Sequence, residues 1–463
     1  MAFLINSPGL STTGTDSADF FSVLSGGLTA TTLLAAAGND SIQMQEPTAS
    51  ADKVSIQLQG GEDILTASGI TLSGQVLAGA GADKIIGSTT KFQGKLGLGA
   101  GNDTVLISAG LVDTLAGGGG SDLITISAAV SATASLFTLG AGADTLTFTA
   151  GKANLLSAST VYGGGGADSI TVDANTSTHI DIYGDRDNYV GNDTIKVMFT
   201  AASAVIKGNM GDDIISVDDG GAVDASSLFL GNQGNDSIDI IGELEADSNI
   251  TIDGGQGSDT ITLTATTTST KILGGGGADK IQLDAQTGSV IATVFGQAGA
   301  DSIIISADVN STTGIADAIG FSAFTDSTVD AMDTVTFTNS LSGTTEATGG
   351  TLLTIHQDVV SANTAVFVND TVTVSAGVAQ FSSISSVADR VSALDAGLTT
   401  EGRYALFTDD AASAAYLFVQ GGDSDLVVKF ENSGTDLNLG SAGTGLATNG
   451  NASSFTVTIG KVA

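Results

Sequence analysis

Thirteen aspartates recur along the first two thirds of the chain: Asp40, Asp63, Asp83, Asp103, Asp122, Asp144, Asp168, Asp193, Asp213, Asp236, Asp259, Asp279 and Asp301, at intervals of 19 to 25 residues. Each has a glycine two positions before it, from Gly38 to Gly299. Several turns carry more, as in Gly254-Gly255-Gln256-Gly257-Ser258-Asp259, Gly163-Gly164-Gly165-Gly166-Ala167-Asp168 and Gly274-Gly275-Gly276-Gly277-Ala278-Asp279. A lone carboxylate could do acid–base work, but a column locked to glycine suits a different chemistry. Glycine reaches φ > 0 and lets carbonyls point into a turn. A carboxylate plus inward carbonyls is an all-oxygen donor set, and a hard cation such as Ca²⁺ takes six to eight oxygens.

The flanking residues must position these turns. An aliphatic residue lies two positions after each aspartate, from Ile42 to Ile303, and most have an apolar residue four after it. Seven before, the residue is apolar except at Arg186, where an insertion breaks the register. Alternation on both sides of a fixed turn means strands with one buried face. A period near 20 residues holds two short strands and two turns, and such units stack as a parallel β-helix or β-roll with coils ~4.8 Å apart. The second turn of each coil is variable and rich in Ser, Thr and Ala, so one edge alone carries the aspartates. Left bare, neighbouring carboxylates at that spacing repel by about 3 kcal/mol at an effective dielectric of ~20. Interleaved divalent cations reverse the sign. Roughly a dozen Ca²⁺ would offset about 24 of the 36 excess negative charges, one ion per shared pair of turns.

Composition agrees. Lys+Arg is 14 against Asp+Glu 50, a net charge of −36, which excludes phosphate-rich partners such as nucleic acid. Only 14% of residues are charged and mean hydropathy is positive, which is no profile of a disordered polyanion. Cysteine is absent, so no disulfide framework stabilises the chain. The first lysine is Lys53, which argues against a cleaved N-terminal signal peptide, and no apolar run is long enough for a membrane span. His179 and His356, the two histidines, sit in no H-E-x-x-H pattern, and there is no G-x-S-x-G elbow. The chain is read as having no enzymatic activity.

The turns resemble the glycine-rich nonapeptide of the RTX, or hemolysin-type, calcium-binding proteins, G-G-x-G-x-D-x-U-x with U a large aliphatic. Gly255-Gln256-Gly257-Ser258-Asp259-Thr260-Ile261 matches from its second glycine, and so do the segments ending at Ile124, Ile170 and Ile281. The Asp213 and Asp236 turns are looser, and those of Asp40, Asp63 and Asp193 keep only the glycine two before the aspartate. The resemblance spans about residues 36–306. It implies calcium at the thirteen aspartates, with the turn glycines Gly164, Gly166, Gly255, Gly257, Gly275 and Gly277 contributing to the sites. In the family's β-rolls both turns of an ~18-residue coil carry the motif. Here one turn does, which implies a single ladder of sites. The resemblance also implies type I secretion through an uncleaved C-terminal signal.

The expected organisation is an N-terminal cap or assembly arm over 1–30, the parallel β-helix over 31–310, and a mixed, mainly β domain over 311–463 that caps the solenoid and carries the secretion signal. That last part should hold one helix near 382–396, with Ile384, Val387, Val391 and Leu394 on one face, and strands at 404–408, 415–420 and 426–430. Asp185 and Asp187, with Asn188, read as a solvated turn, a further calcium loop being the alternative. Asp423 and Asp425 form a second acidic turn of the same kind. The functional expectation is a secreted, calcium-dependent structural protein that assembles with itself into a surface layer or extracellular fibre, with cell-surface polysaccharide as a candidate anchor. The alternative is a calcium-dependent adhesin.

Overall fold

In a computed structural model the chain forms the expected all-β parallel solenoid. Residues 1–305 are described apart from short connecting segments, the longest being 24–30 and 284–291; beyond 305 only the strands and the capped helix given below, and the antiparallel pair Leu446–Ala447 and Thr456–Val457, are described. The chain divides into two compact units, Met1–Phe229 and Leu230–Ala463.

In the first unit two parallel sheets face each other across the core. The strands that follow the aspartates make one sheet, from Phe20–Val23 and Ser41–Gln45 through Ile64–Ser68 and Lys84–Ser88 to Ile214–Val217. The strands that precede them make the other, from Thr32–Leu34 and Ser50–Gly60 to Ser203–Met210. Register stacks like on like. Ile42, Leu65, Ile85, Val105, Ile124, Leu146, Ile170, Ile195 and Ile215 form one fully buried column. Ile56, Val76, Leu96, Leu115, Phe137, Val161, Ile182 and Ile206 form the facing one. In that column Ile182, not Arg186, serves the Asp193 coil, so the insertion lies between strand and aspartate. Each buried aliphatic contributes about 1.5–3 kcal/mol. A single coil has no second neighbour to close its core, which is why stability comes from the stack.

Strands within the first thirty residues continue the same pairing. Ala2–Ile5 pairs in parallel with Phe20–Val23, and Ser11–Thr13 with Thr32–Leu34.

The second unit repeats the arrangement through Ser237–Ile240, Thr260–Leu263, Lys280–Leu283 and Ser302–Ile305 on one side and Ile250–Gln256, Thr270–Gly276 and Ala292–Ala298 on the other. Parallel pairing outlasts the glycine turns. Ser302–Ile305 pairs with Asp333–Phe337, and Ala292–Ala298 leads through Asp317–Gly320 to Leu353–His356. Antiparallel pairing then takes over: Val366–Asn369, Val372–Ser375 and Val378–Phe381 form one run, and Tyr404–Thr408, Ala414–Val419 and Leu426–Asn432 another. The last of these returns in parallel to Asp333–Phe337.

The helix runs over Val387–Gly397 and buries Val391 and Leu394. It starts later than the apolar spacing predicts because Ser386 caps it: Ser386 Oγ accepts the Asp389 N–H at 3.0 Å and donates to the Asp389 carboxylate at 2.6 Å. Ile384 and the acidic turn at Asp423 and Asp425 lie outside the described residues. Among the described residues no helix is long and apolar enough to cross a membrane.

Candidate cation-binding aspartate ladder

Each turn is built on two residues with positive φ, four and two positions before the aspartate. At the second of these, the glycines from Gly38 to Gly299 that adopt it have φ between +115° and +138°, a region closed to side chains. Space closes it as well. A Cβ on Gly257 would lie 1.8 Å from the Gly234 carbonyl oxygen, one on Gly166 2.1 Å from that of Gly142, and one on Gly277 2.0 Å from that of Gly257. Four before the aspartate, Gly164, Gly255 and Gly275 have φ of +126°, +107° and +113°. Ala36, Gln59, Asn209, Asn232 and Gln297 stand at the same position with φ between +71° and +85°, the left-handed region that L-residues can reach at a cost of about 1–2 kcal/mol. The turns of Asp40, Asp63, Asp213 and Asp236 therefore keep the full geometry without the full motif. The Asp193 turn does not: Gly191 lacks the positive φ.

The backbone donors of the turn are spent between coils. At most turns the N–H two before the aspartate donates to the carbonyl three before the next, as from Gly61 to Ala80 at 2.8 Å and from Gly257 to Gly276 at 2.7 Å. The aspartate N–H donates to the Oδ1 of the next aspartate. In the first unit this rung repeats from Asp19 through Asp40, Asp63, Asp83, Asp103, Asp122, Asp144, Asp168 and Asp193 to Asp213, at 2.6–2.8 Å. In the second it runs from Asp236 through Asp259 and Asp279 to Asp301, at 2.7–3.0 Å. All thirteen predicted aspartates thus share one ladder position, each 1–2% exposed.

The second carboxylate oxygen has a different fate. Oδ2 of Asp40, Asp63, Asp83, Asp103, Asp122, Asp144, Asp168, Asp193 and Asp279 is buried and receives no hydrogen bond. Burial pushes these carboxyls up, the N–H received at Oδ1 offsets part of the shift, and at most of them neighbouring aspartates add to the rise. Asp63, Asp83 and Asp193 rise to about 6, Asp122 and Asp279 to about 7, and Asp168 to about 8. A buried carboxylate left ionised and unpaired costs several kcal/mol, as much as two or three buried aliphatics contribute. One such charge per coil would cancel most of the core, so the ladder needs either protons or cations.

The residues fit a cation. The donors around Oδ2 are spent, and what remains is oxygen. In the glycine-rich turns Oδ2 turns onto the residue five before its own aspartate. A Cβ on Gly254 would lie 2.4 Å from Asp259 Oδ2 and 2.4 Å from the Gly274 carbonyl oxygen; on Gly274, 2.5 Å from Asp279 Oδ2 and 2.5 Å from the Gly296 carbonyl; on Gly163, 2.6 Å from Asp168 Oδ2. Carboxylate and carbonyl oxygens approach the same point there. Among the described residues no three His, Asp or Glu side chains gather to hold an ion by themselves. An ion at these turns would take one or two carboxylates and complete its shell with carbonyls. Gly164, Gly166, Gly255, Gly257, Gly275 and Gly277 shape these turns through backbone conformation.

Two features escaped the sequence reading. Asp19 is a fourteenth rung, buried, with Ser17 where the glycine should be. The Met1 ammonium and the Thr15 N–H hold its carboxyl below the usual range. The residue just before the aspartate forms an outer polar ladder: Ser121 N–H donates to Asn102 Oδ1 at 2.8 Å and Ser258 N–H to Asn235 Oδ1 at 2.8 Å.

A Ser–His–Asp constellation also exists. His179 Nδ1 lies 2.7 Å from Ser203 Oγ and Nε2 2.8 Å from Asp181 Oδ1, all three on outward positions of adjacent strands. The strands that carry it are paired in parallel, His179 opposite Ser203 and Asp181 opposite Val205.

No protein-family model matches the chain, and no curated protein sequence matches it. In structure it is similar to a hyperactive, Ca²⁺-dependent, β-helical antifreeze protein from an Antarctic bacterium, with a TM-score of 0.38 and 15% identity, over 69% of this chain and 85% of that one. A likeness of that degree carries no statement about binding or activity.

Proposed function

We propose that this chain is a secreted, calcium-dependent structural protein of the RTX kind, whose solenoid closes around Ca²⁺ and which assembles with itself into a surface layer or extracellular fibre. The observation that carries the calcium reading is the ladder of buried carboxylates, nine of them with a second oxygen that receives no hydrogen bond, and the carbonyls that lie beside that oxygen in turns such as those of Asp168 and Asp279. All-oxygen surroundings select a hard cation. Chemistry also supplies the route of export. In cytosol poor in Ca²⁺ the aspartate column repels itself and the chain stays unfolded; outside, Ca²⁺ closes the coils. The C-terminal secretion signal and the assembly roles of 1–30 and 311–463 belong to the same proposal. Exposed aliphatic side chains on the strands beside the turns, Ile64, Leu123 and Ile214 among them, support lateral contact between copies.

The experiment is circular dichroism and electron microscopy of the purified protein with Ca²⁺ and with chelator. A β-signal and ordered sheets or filaments that appear with Ca²⁺ and vanish with chelator are expected. The same β-signal in both would overturn the calcium reading. A calcium-dependent fold that stays monomeric at high protein concentration would overturn self-assembly and favour the adhesin.

A further inference from the structure

One turn is built differently from the rest. Five residues separate Asp185 from Gly191, where one separates Gly164 from Gly166. Gly184 holds the place that the glycine five before the aspartate has elsewhere: a Cβ on it would lie 2.2 Å from Asp193 Oδ2 and 2.7 Å from the Gly208 carbonyl oxygen. Gly191 rejoins the stack, its Cβ position 1.9 Å from the Gly166 carbonyl. Between them the extra chain leaves the turn, with Asn188, Tyr189 and Val190 exposed. Asp185 goes the other way. It stands in register with Gly164 of the neighbouring coil and is 1% exposed. No other turn has an acid at that position.

The expectation of a solvated loop is therefore wrong for Asp185. Its Oδ2 accepts the Met210 N–H at 3.1 Å, and its backbone carbonyl accepts a hydrogen bond from Asn209 Nδ2 at 2.8 Å. Oδ1 is buried and has no hydrogen-bond partner. Asp193 Oδ2 in the same turn, and Asp168 Oδ2 in the neighbouring coil, are buried without partners too. Burial first, then the charge of Asp193, lifts the Asp185 carboxyl to about 7, while the Met210 and Gly191 N–H groups offset part of the rise. A solvent-facing acid gains nothing from such a position. An acid that shares a cation with Asp193 does.

We propose that the insertion at 184–191 builds a second kind of site, in which Asp185 adds a buried carboxylate to the Asp193 turn and the two hold a hard divalent cation such as Ca²⁺ more tightly than any single-aspartate turn. Affinity for such cations rises with the number of charged ligands. This inference rests on the cation-binding reading of the ladder. It adds that binding is graded, with the insertion turn filling first.

The surroundings supply a local probe. The chain has five tyrosines and no tryptophan. Tyr162 and Tyr183 stack at 4.9 Å on the strands entering this region, and the Tyr189 ring lies 2.7 Å from where a Gly165 Cβ would be. Tyr404 and Tyr416 belong to strands of the other unit. Terbium bound beside Asp185 would be sensitised by the first three. The test is a Tb³⁺ titration of the full chain with tyrosine excitation, followed by displacement with Ca²⁺. The expected result is a tightest phase of one ion per chain that emits strongly, is weakened about tenfold or more in Asp185→Asn, and leaves the far-ultraviolet circular dichroism of that variant unchanged. A variant in which Tyr162, Tyr183 and Tyr189 are all changed to Phe should keep Ca²⁺ binding and lose the emission, which places the ion even if Asp185→Asn fails to fold. An unchanged tight phase in Asp185→Asn, emission that survives the triple variant, or no sensitised emission in the wild type overturns the proposal. If the sensitised ion is present while chelator leaves the β-signal intact, the insertion site stands and the ladder reading falls.

Discussion

Two groups of turns share the same rung geometry and differ at one position. Five before Asp40, Asp63, Asp83, Asp103 and Asp144 stand Ala35, Leu58, Ala78, Leu98 and Leu139, all fully buried. Five before Asp122, Asp168, Asp213, Asp236, Asp259, Asp279 and Asp301 stand glycines. The rungs do not register the difference. Asp63 donates to Asp83 Oδ1 at 2.8 Å, and Asp259 to Asp279 Oδ1 at 2.8 Å. What changes is the neighbour of Oδ2. In one group a fully buried core side chain stands at that position. In the other the carboxylate approaches the place of the missing Cβ, and at Asp122, Asp168, Asp236, Asp259 and Asp279 a carbonyl of the next coil lies beside the same place. That glycine serves room rather than conformation, since Gly254 and Gly274 have no positive φ. The ladder therefore specifies the fold, and the fifth position sets how much oxygen each turn offers to a cation.

The largest effect expected from breaking this comparison is at the glycine common to both groups. Gly277→Ala puts a Cβ at φ +135° and 2.0 Å from the Gly257 carbonyl oxygen. It should cost about 4 kcal/mol or more, read as a large fall in the denaturation midpoint with or without Ca²⁺. Next comes an exchange of the two turn types. Gly254→Leu forces a Cβ to 2.4 Å from Asp259 Oδ2. It should cost about 1–3 kcal/mol from overpacking and lower the number of bound Ca²⁺ by elemental analysis. Leu58→Ala should cost about 2–5 kcal/mol as an ordinary core truncation and leave the ion count unchanged. Equal ion counts for both variants would erase the distinction between the groups.

Smaller effects follow from single rungs. Asp259→Ala removes the acceptor of the Asp236 N–H, now at 2.7 Å, at a cost of about 1–3 kcal/mol. Because each turn faces the next, the variant should weaken two calcium positions, and a structure of it missing a single ion would contradict the shared geometry. Asn102→Ala removes an acceptor from the exposed outer ladder at Ser121 and should cost less than about 1 kcal/mol, seen as a shift of the midpoint near the error of the measurement.

The solenoid was legible because its signal is periodic. The columns from Ile42 to Ile215 and from Ile56 to Ile206 each repeat once per coil, and Asp–Gly spacing marks the turn in every copy. What the sequence hid was set by register. Asp19 went unread because Ser17 replaces the glycine, yet strand pairing carries the first coil into the ladder all the same. The residue four before the aspartate looked variable, since Ala36, Gln59, Asn209, Asn232 and Gln297 share nothing chemically. Stacking against neighbouring coils imposes left-handed geometry on each of them. Asp185 sat in a polar run that reads as solvated, and only the register with Gly164 shows that it turns inward. Beyond residue 311 the glycine turn is lost while parallel pairing goes on, because strands can pair on alternation alone.

On the proposed reading cations, not protons, neutralise the buried ladder. The two alternatives bend stability against pH in opposite directions. Without a cation, folded aspartates raised to between about 6 and 8 bind protons that unfolded ones, near 3.8, have already released. Their stabilising contribution is full below pH ~4 and is lost as pH rises through 6 to 8. With Ca²⁺ in excess, protons compete for the same oxygens, and stability should rise with pH over that range. The measurement is the melting temperature between pH 5 and 8.5 in chelator and in excess Ca²⁺. A fall with pH in chelator and a rise in Ca²⁺ is the predicted result. The same fall in both would mean that protons, not cations, neutralise the ladder, and would overturn the calcium reading.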